Sequence, residues 1–427
     1  MSDRPTTSIA EPAACLACGC LCDDIRVEAR EGRVVGAEHA CPIGLAWFLA
    51  PRPGEGHPAA SIEGQPATVD EALDRAAEIL AGAKSPVVWG LSGSTIESAR
   101  LAVALADRLG AVVDVAGDPV ATASLAAFRR VGRVSASLGE VKDRANVVVF
   151  WGGDPAATHP RHRERYSVEP RGRFIPEGRA GRFVAVVGGD GSSVGDADLV
   201  VPMAPEHEAE AVDYLRAKGR GLAVEPARWT LPAGTSAALG LLADRLLMAR
   251  YGALFLGPGV GPAAIEPLDR LVRDLNDGRR FVSLDLGSPG NRSGASSVLC
   301  WQAGAPSGVD FGSGSPRHLP GEATLATRLA RGEVDAVLIV SDDPMKHLDV
   351  RGLDSLTKVA TIRIAPGATD PSHPSTVAFD VARPGIESGG TVERVDGVML
   401  PLRPAISAAL PTDRDILEAL LGKLRSS

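Results

Sequence analysis

Short, uninterrupted apolar runs that end in glycine, aspartate or proline recur along the chain, and they constrain the fold more than any other feature. They lie at 86–90, 111–115, 146–151, 183–187, 199–202, 253–256, 281–286, 336–340 and 361–364. A strand that is apolar on both faces has no solvent side, so such runs predict parallel strands covered by helices above and below. Helical patterns alternate with them. Over 71–81, apolar Ala72, Leu73, Ala76, Ala77 and Leu80 share one face behind Asp70, a residue type that caps helix starts. Further helices are expected from Ser92-Gly93-Ser94-Thr95 to Leu109, over 206–217, 236–250 and 410–424. Strands and helices in alternation predict an α/β chain with more than one doubly wound sheet.

The N-terminus is of another kind. Five of the six cysteines lie between residues 15 and 41, and Cys15, Cys18, Cys22 and Cys41 follow the spacing C-x2-C-x3-C-x18-C. Residues 25–36 alternate apolar and polar side chains around Glu31-Gly32, which reads as a hairpin returning Cys41 to the other three. Four thiolates suit either an iron–sulfur cluster or a structural zinc, and a close triplet with a distant fourth favours the cluster. Pro51-Arg52-Pro53-Gly54 is a turn-rich linker after this small β unit. The expected organisation is therefore a cysteine-bearing unit at 1–52, a first α/β domain at 53–135 to which 290–427 returns, and a second, Rossmann-like domain at 136–289.

Ligands of doubly wound sheets bind beyond the carboxyl ends of the strands, so the loops there carry the information. Two resemble each other. One strand runs into Gly152-Gly153-Asp154-Pro155 with His159 beyond, the other into Ser341-Asp342-Asp343-Pro344 with His347 beyond. They read as two nucleotide-type half-sites related by internal pseudo-symmetry, or as two helix starts with proline in the first position. His159-Pro160-Arg161-His162-Arg163-Glu164-Arg165-Tyr166 follows the first loop. Its arginines suit a clamp for phosphates or carboxylates, since guanidinium binds planar oxyanions in a bidentate way; a solvated turn is the plainer alternative. Gly257-Pro258-Gly259-Val260-Gly261 does not match G-x-G-x-x-G and is weak evidence for phosphate binding. His39, His57, His207, His318 and His373 are scattered and read as structural or surface residues, and Cys300 as a small buried residue beside Trp301.

A net charge of −8 gives no basic field for nucleic acid or anionic lipid. Residues 1–14 are polar and lack the apolar core of a secretory signal. The most apolar stretch, 237–260, is broken by Asp244, Arg245 and Arg250, so no membrane span is expected and the chain reads as soluble and cytoplasmic.

In this order, the segments resemble the molybdopterin-dependent oxidoreductases, and within them the B subunit of formylmethanofuran dehydrogenase. The version most resembled is the B subunit of the bacterial formyltransferase/hydrolase complex of one-carbon metabolism. The segments that carry the resemblance are Cys15 to Asp24, Ser137 to Trp151, His159 to Tyr166, Asn291 to Gly304, Val309-Asp310-Phe311, Pro320-Gly321-Glu322 and Gly390 to Val398. The resemblance implies a [4Fe–4S] cluster on Cys15, Cys18, Cys22 and Cys41, leaving Cys20 as an extra thiol. It also implies a bis-molybdopterin guanine dinucleotide carrying molybdenum or tungsten, with Asp154, Pro155, His159, Arg161, Asp343, Pro344 and His347 on the cofactor side. Its partners would be an amidohydrolase-type A subunit, a C subunit and a formyltransferase, with a methanofuran-type carrier.

Two departures weigh on that expectation. Val120 stands where the family has the cysteine that binds the metal, and Ala121 replaces the histidine after it. Neither side chain has a lone pair for a metal or a proton to exchange. Asp118, Thr122 and Ser124 could serve a hard metal only after a shift of register. The chain also ends after the 410–424 helix where many members carry a β-barrel that closes over the pterins, so a barrel would have to come from a partner. Three functions follow as expectations. The first is a vestigial, non-redox member of a formyltransferase/hydrolase complex in tetrahydromethanopterin-linked oxidation of formaldehyde to formate. Arg161, Arg163 and Arg165 would then face the anionic tail of the carrier. The second is an active molybdenum or tungsten dehydrogenase subunit, and the third a pterin- or nucleotide-binding module with a structural zinc.

Overall fold

The computed structural model describes residues 7–117, 119–189, 195–224, 229–372 and 374–426. Asp118 and His373 lie outside them. The chain divides into two units: residues 1–116, 288–394 and 399–427 form the first, residues 117–287 and 395–398 the second. The division thus falls at 116/117 rather than 135/136. The reason is the helix Pro119–Val131, whose Val120, Ala123 and Ala127 pack into the core of the second unit.

In the first unit, five parallel strands stand at the centre of a nine-stranded sheet, ordered Val112–Val115, Pro86–Gly90, Ala336–Val340, Ala360–Ala365 and Val377–Asp380. Numbered along the chain this is 2-1-3-4-5, one of the two common doubly wound orders. Short antiparallel strands extend both edges. The helices Val69–Gly82, Ile96–Leu109, Arg292–Ala303 and Asp413–Ser426 contribute to the core that covers one face, and Leu325, Leu329, Leu348 and Leu356 pack over part of the other. The first of these helices begins at Val69, ahead of the Glu71 that the sequence pattern suggests. Its cap is Thr68, not Asp70, because Thr68 and Glu71 satisfy each other's backbone N–H in a capping box.

The cysteine-bearing segment belongs to this unit. Its predicted hairpin is present as Ile25–Arg30 and Arg33–Glu38, with Glu31 and Gly32 at positive φ in the turn. A third strand, Thr7–Ala13, pairs antiparallel with the first.

The second unit holds a five-stranded, wholly parallel sheet ordered Leu199–Val201, Phe183–Val187, Val147–Trp151, Tyr251–Leu256 and Arg280–Asp285. Its chain order is 3-2-1-4-5, the Rossmann arrangement. The expected helices appear as Glu208–Gly219 and Ala233–Met248, with Pro262–Leu275 in addition. Among the described residues no helix is long and apolar enough to cross a membrane.

Candidate functional site

Cys15, Cys18, Cys20 and Cys22 are buried and Cys41 is half-buried, so the structure gathers all five early cysteines away from solvent. The loop closes on itself through Cys15 N–H donating to the Cys22 carbonyl at 2.9 Å and Leu21 N–H to the Cys18 carbonyl at 3.2 Å. Cys41 caps the helix Pro42–Phe48, its Sγ accepting from the Gly44 N–H at 3.4 Å. Gly44 admits this approach, since a Cβ there would lie 3.1 Å from Cys15 Sγ and 3.8 Å from Cys41 Sγ. Burial pushes the Cys15 thiol up to about 12, with Cys22, Cys18 and Cys41 adding to it. Cys20 donates to the sulfurs of Cys18 and Cys22, which lowers the pKa of Cys18 and raises its own. Among the described residues no group of three or more His, Cys, Asp or Glu side chains is arranged to hold a metal ion. Four thiols are the donor type of both an iron–sulfur cluster and a structural zinc, and either would need the sulfurs drawn in around one centre.

Both Asp-Pro loops fall at topological switch points, where neighbouring strands send their connections in opposite directions. In the first unit this point lies between Pro86–Gly90 and Ala336–Val340. Leu91 N–H donates to the Val340 carbonyl at 2.7 Å and Gly93 N–H to the Ser341 carbonyl at 2.9 Å. Ser92 Oγ bonds the Asp342 carboxylate, and His347 Nε2 approaches the same carboxylate at 3.3 Å. Asp343 caps the short turn Pro344–Lys346 by accepting from Met345 N–H at 3.1 Å. Beside this loop opens a cleft of about 710 Å³ lined by Asp343, Pro344, Thr361, Arg363, Thr369 and Asp370. Arg363 is buried, its Nε has no hydrogen-bond partner among the described residues, and burial lowers its pKa against the pull of Asp343 and Asp342.

In the second unit the switch point lies between Val147–Trp151 and Tyr251–Leu256. Gly152 sits there at φ +92°, and a Cβ on it would come within 2.4 Å of Val260 N. Asp154 caps Pro155–Ala157 through Ala156 N–H at 2.8 Å, and its other oxygen accepts from Arg163 Nη1 at 2.9 Å. Both Asp-Pro pairs thus do begin short helical turns with proline in the first position, at equivalent places in the two sheets. The glycine-rich loop 257–261 leads into the helix Pro262–Leu275, where an anion would ordinarily be drawn. That place is already taken: Glu208 accepts from Gly261 N–H at 2.6 Å and from Trp151 Nε1–H at 3.0 Å. Burial raises the pKa of Glu208.

The basic turn is not an open clamp. Arg163 is committed to Asp154 and the Asp196 carbonyl, Arg161 meets Glu164 at 2.5 Å, and Arg165 lies over the Tyr166 ring. His159 is buried, with Nδ1 on Thr158 Oγ1 at 2.9 Å and Nε2 on the Gly287 carbonyl at 3.1 Å, and burial lowers its pKa. His162 packs edge-on against Phe255 with burial holding it at about 3. Cys300 is exposed, not buried as expected, because it lies in the last turn of Arg292–Ala303 on the solvent side with Trp301. Glu208, Ser92 and Asn291 escape a reading of the sequence. Asn291 is fully buried, donating to the Ser94 carbonyl and accepting from Glu393 N–H. The only signal for it is its place at the head of a family-like segment.

No protein-family model matches the chain. It is 34% identical over 96% of its length to the B subunit of tungsten-containing formylmethanofuran dehydrogenase 2 of Methanocaldococcus jannaschii, covering 97% of that protein. To the Fhc B subunit of the formyltransferase/hydrolase complex of Methylorubrum extorquens it is 31% identical over 67% of its length and 75% of that protein's. Among solved structures, it matches the Methylorubrum extorquens formyltransferase/hydrolase complex crystallised with methylofuran at a TM-score of 0.72 and 28% identity, over 86% of this chain and 99% of that one. The chain therefore belongs to the family of formylmethanofuran dehydrogenase B subunits, which includes the B subunit of the formyltransferase/hydrolase complex.

Proposed function

We propose that this chain is a non-redox member of a formyltransferase/hydrolase-type complex, organising partners that move a formyl group between tetrahydromethanopterin and a methanofuran-type carrier and hydrolyse it to formate. The observation that carries this reading is Val120. It lies in the first turn of Pro119–Val131 and packs with Ala123 into the apolar core of the second unit. A side chain spent on core packing leaves no donor for molybdenum or tungsten at the position where the family has its ligand. An amidohydrolase-type A subunit, a C subunit and a formyltransferase are the partners this reading assigns.

The two implied cofactors fit unequally. Cys15, Cys18, Cys22 and Cys41 supply a thiol set suited to a [4Fe–4S] cluster, which would stabilise the N-terminal segment. The cleft at Asp343, with its buried Arg363, suits the nucleotide end of a pterin. In the second unit, Glu208 on the Gly261 N–H and Arg163 on Asp154 fill the places where phosphates would be held. Retention of the cysteines, together with the tungsten-containing relative, favours a second reading as an active dehydrogenase subunit. Purification of the complex tests the choice: a copurifying formyltransferase supports the first reading, and a barrel subunit with a polyferredoxin the second. Cys18→Ser should abolish the iron absorbance in either case, and unchanged absorbance sinks the cluster assignment.

A further inference from the structure

Five thiols share the N-terminal site, and a cluster takes four. The fifth, Cys20, is 1% exposed, so the chain buries it as deeply as any ligand although the resemblance leaves it without a role. Its place is fixed by the loop. Leu21 N–H donates to the Cys18 carbonyl at 3.2 Å, Leu21 takes a left-handed φ of +39°, and Cys15 N–H closes the segment on the Cys22 carbonyl at 2.9 Å. Cys20 therefore stands in a tight turn with a candidate ligand two residues away on either side. Its thiol bonds to the sulfurs of both, Cys18 and Cys22. Single residues, Gly19 and Leu21, link the three, so drawing the ligand sulfurs around one centre keeps Cys20 beside its neighbours.

A buried thiol is by itself a small apolar side chain. The second observation is the direction of the surrounding donors. Gly44 N–H, in the first turn of Pro42–Phe48, donates to Cys41 Sγ at 3.4 Å. The Ala17 N–H faces the sulfur of Cys15 and the Cys20 N–H that of Cys18, each favouring the thiolate. Cys15, Cys18 and Cys41 thus each meet a backbone donor, and the Cys20 thiol supplies one to Cys22. Sulfur that carries the charge of a metal-bound thiolate is stabilised by every such donor. Reduction adds negative charge to a cluster and its sulfurs, so a donor there stabilises the reduced form more than the oxidised one.

We propose that Cys20 is not a ligand but a hydrogen-bond donor to two of them, Cys18 and Cys22, and that it raises the reduction potential of the cluster. Cys20 has this role only if Cys15, Cys18, Cys22 and Cys41 hold a cluster, as read above. The role asks nothing of molybdenum or tungsten.

Anaerobic reconstitution of the purified full-length chain with ferrous iron and sulfide, followed by a potentiometric titration read by electron paramagnetic resonance, tests it. Cys20→Ala should take up as much iron as the unaltered chain and lower the equilibrium constant for reduction by about threefold to tenfold, at most about 59 mV for a one-electron couple. Cys20→Ser, whose hydroxyl donates from the same place, should recover most of that loss, which separates a lost donor from a repacked loop. Cys300→Ser, at an exposed thiol elsewhere in the first unit, should leave both readings unchanged. Loss of iron from Cys20→Ala makes Cys20 a ligand and overturns the proposal. Equal potentials in the unaltered and alanine forms, or equal shifts in the alanine and serine forms, overturn it and leave the cluster assignment standing. A chain that takes up no iron overturns both.

Discussion

Arg163 closes onto Asp154: Nη1 donates to Oδ2 at 2.9 Å, and the two side chains are only 11% and 5% exposed. The arginine that the sequence pattern aims at an external anion neutralises the aspartate of the Asp-Pro loop instead. Asp154→Ala removes both the cap on Ala156 and the counter-charge of a half-buried guanidinium. It should destabilise the chain by about 3 kcal/mol in urea unfolding. Arg163→Ala should cost a similar amount, and the double variant clearly less than the sum.

Glu208 bridges Trp151 and Gly261. Glu208→Ala leaves two buried donors unpaired and should cost about 2–4 kcal/mol, with faster hydrogen exchange at the 257–261 loop. Glu208→Gln keeps acceptor capacity on one oxygen only and should fall between. Equal stability of all three forms would show that the loop is held by other contacts.

His162 gives the structure an acid sensitivity of definite sign. Its folded pKa is about 3 against 6.5 for a free histidine, so below pH 6.5 the unfolded chain takes up a proton that the folded chain refuses. The stability is whole above pH 6.5 and is lost as pH falls toward 3, by about 2 kcal/mol between pH 7 and 5. His159, also lowered by burial, adds to the same trend. His162→Phe should flatten the profile of urea midpoints in that window.

Asp114 acts in the opposite direction. Burial raises it to about 6 from 3.8, although it accepts from Leu325 N–H at 2.9 Å and Ser307 Oγ at 3.0 Å. The folded chain holds the proton that the unfolded chain releases, so this contribution is complete below pH 3.8 and is lost as pH rises through 6. Asp114→Asn should remove a loss of about 2–3 kcal/mol between pH 4 and 6, read from urea midpoints across that range.

Much of this architecture was legible because parallel strands buried on both faces leave unbroken apolar runs, as at Ala336–Val340 and Phe183–Val187. A strand without that burial left no such trace: Thr7–Ala13 buries only Ala10 and Ala13. Val377–Asp380 is buried throughout but has only three apolar residues before a fully buried aspartate whose oxygens serve Gly54 and Gly367, too short a run to stand out. The cap at Thr68 was missed because Asp70 has equal local credentials, and only the reach of Glu71 decides between them. The Asp-Pro loops were found, but not their partners: that Arg163 and Ser92 would be spent inside the chain depends on how the loops fold back. Glu208 lies 53 residues from the Gly261 it serves, with no local pattern to announce it.

A non-redox role rests above all on the missing metal ligand at Val120, and elemental analysis of the purified complex tests that most directly. Iron attributable to the cysteine cluster is expected, with molybdenum and tungsten at background. Molybdenum or tungsten in stoichiometric amount with this chain would contradict it.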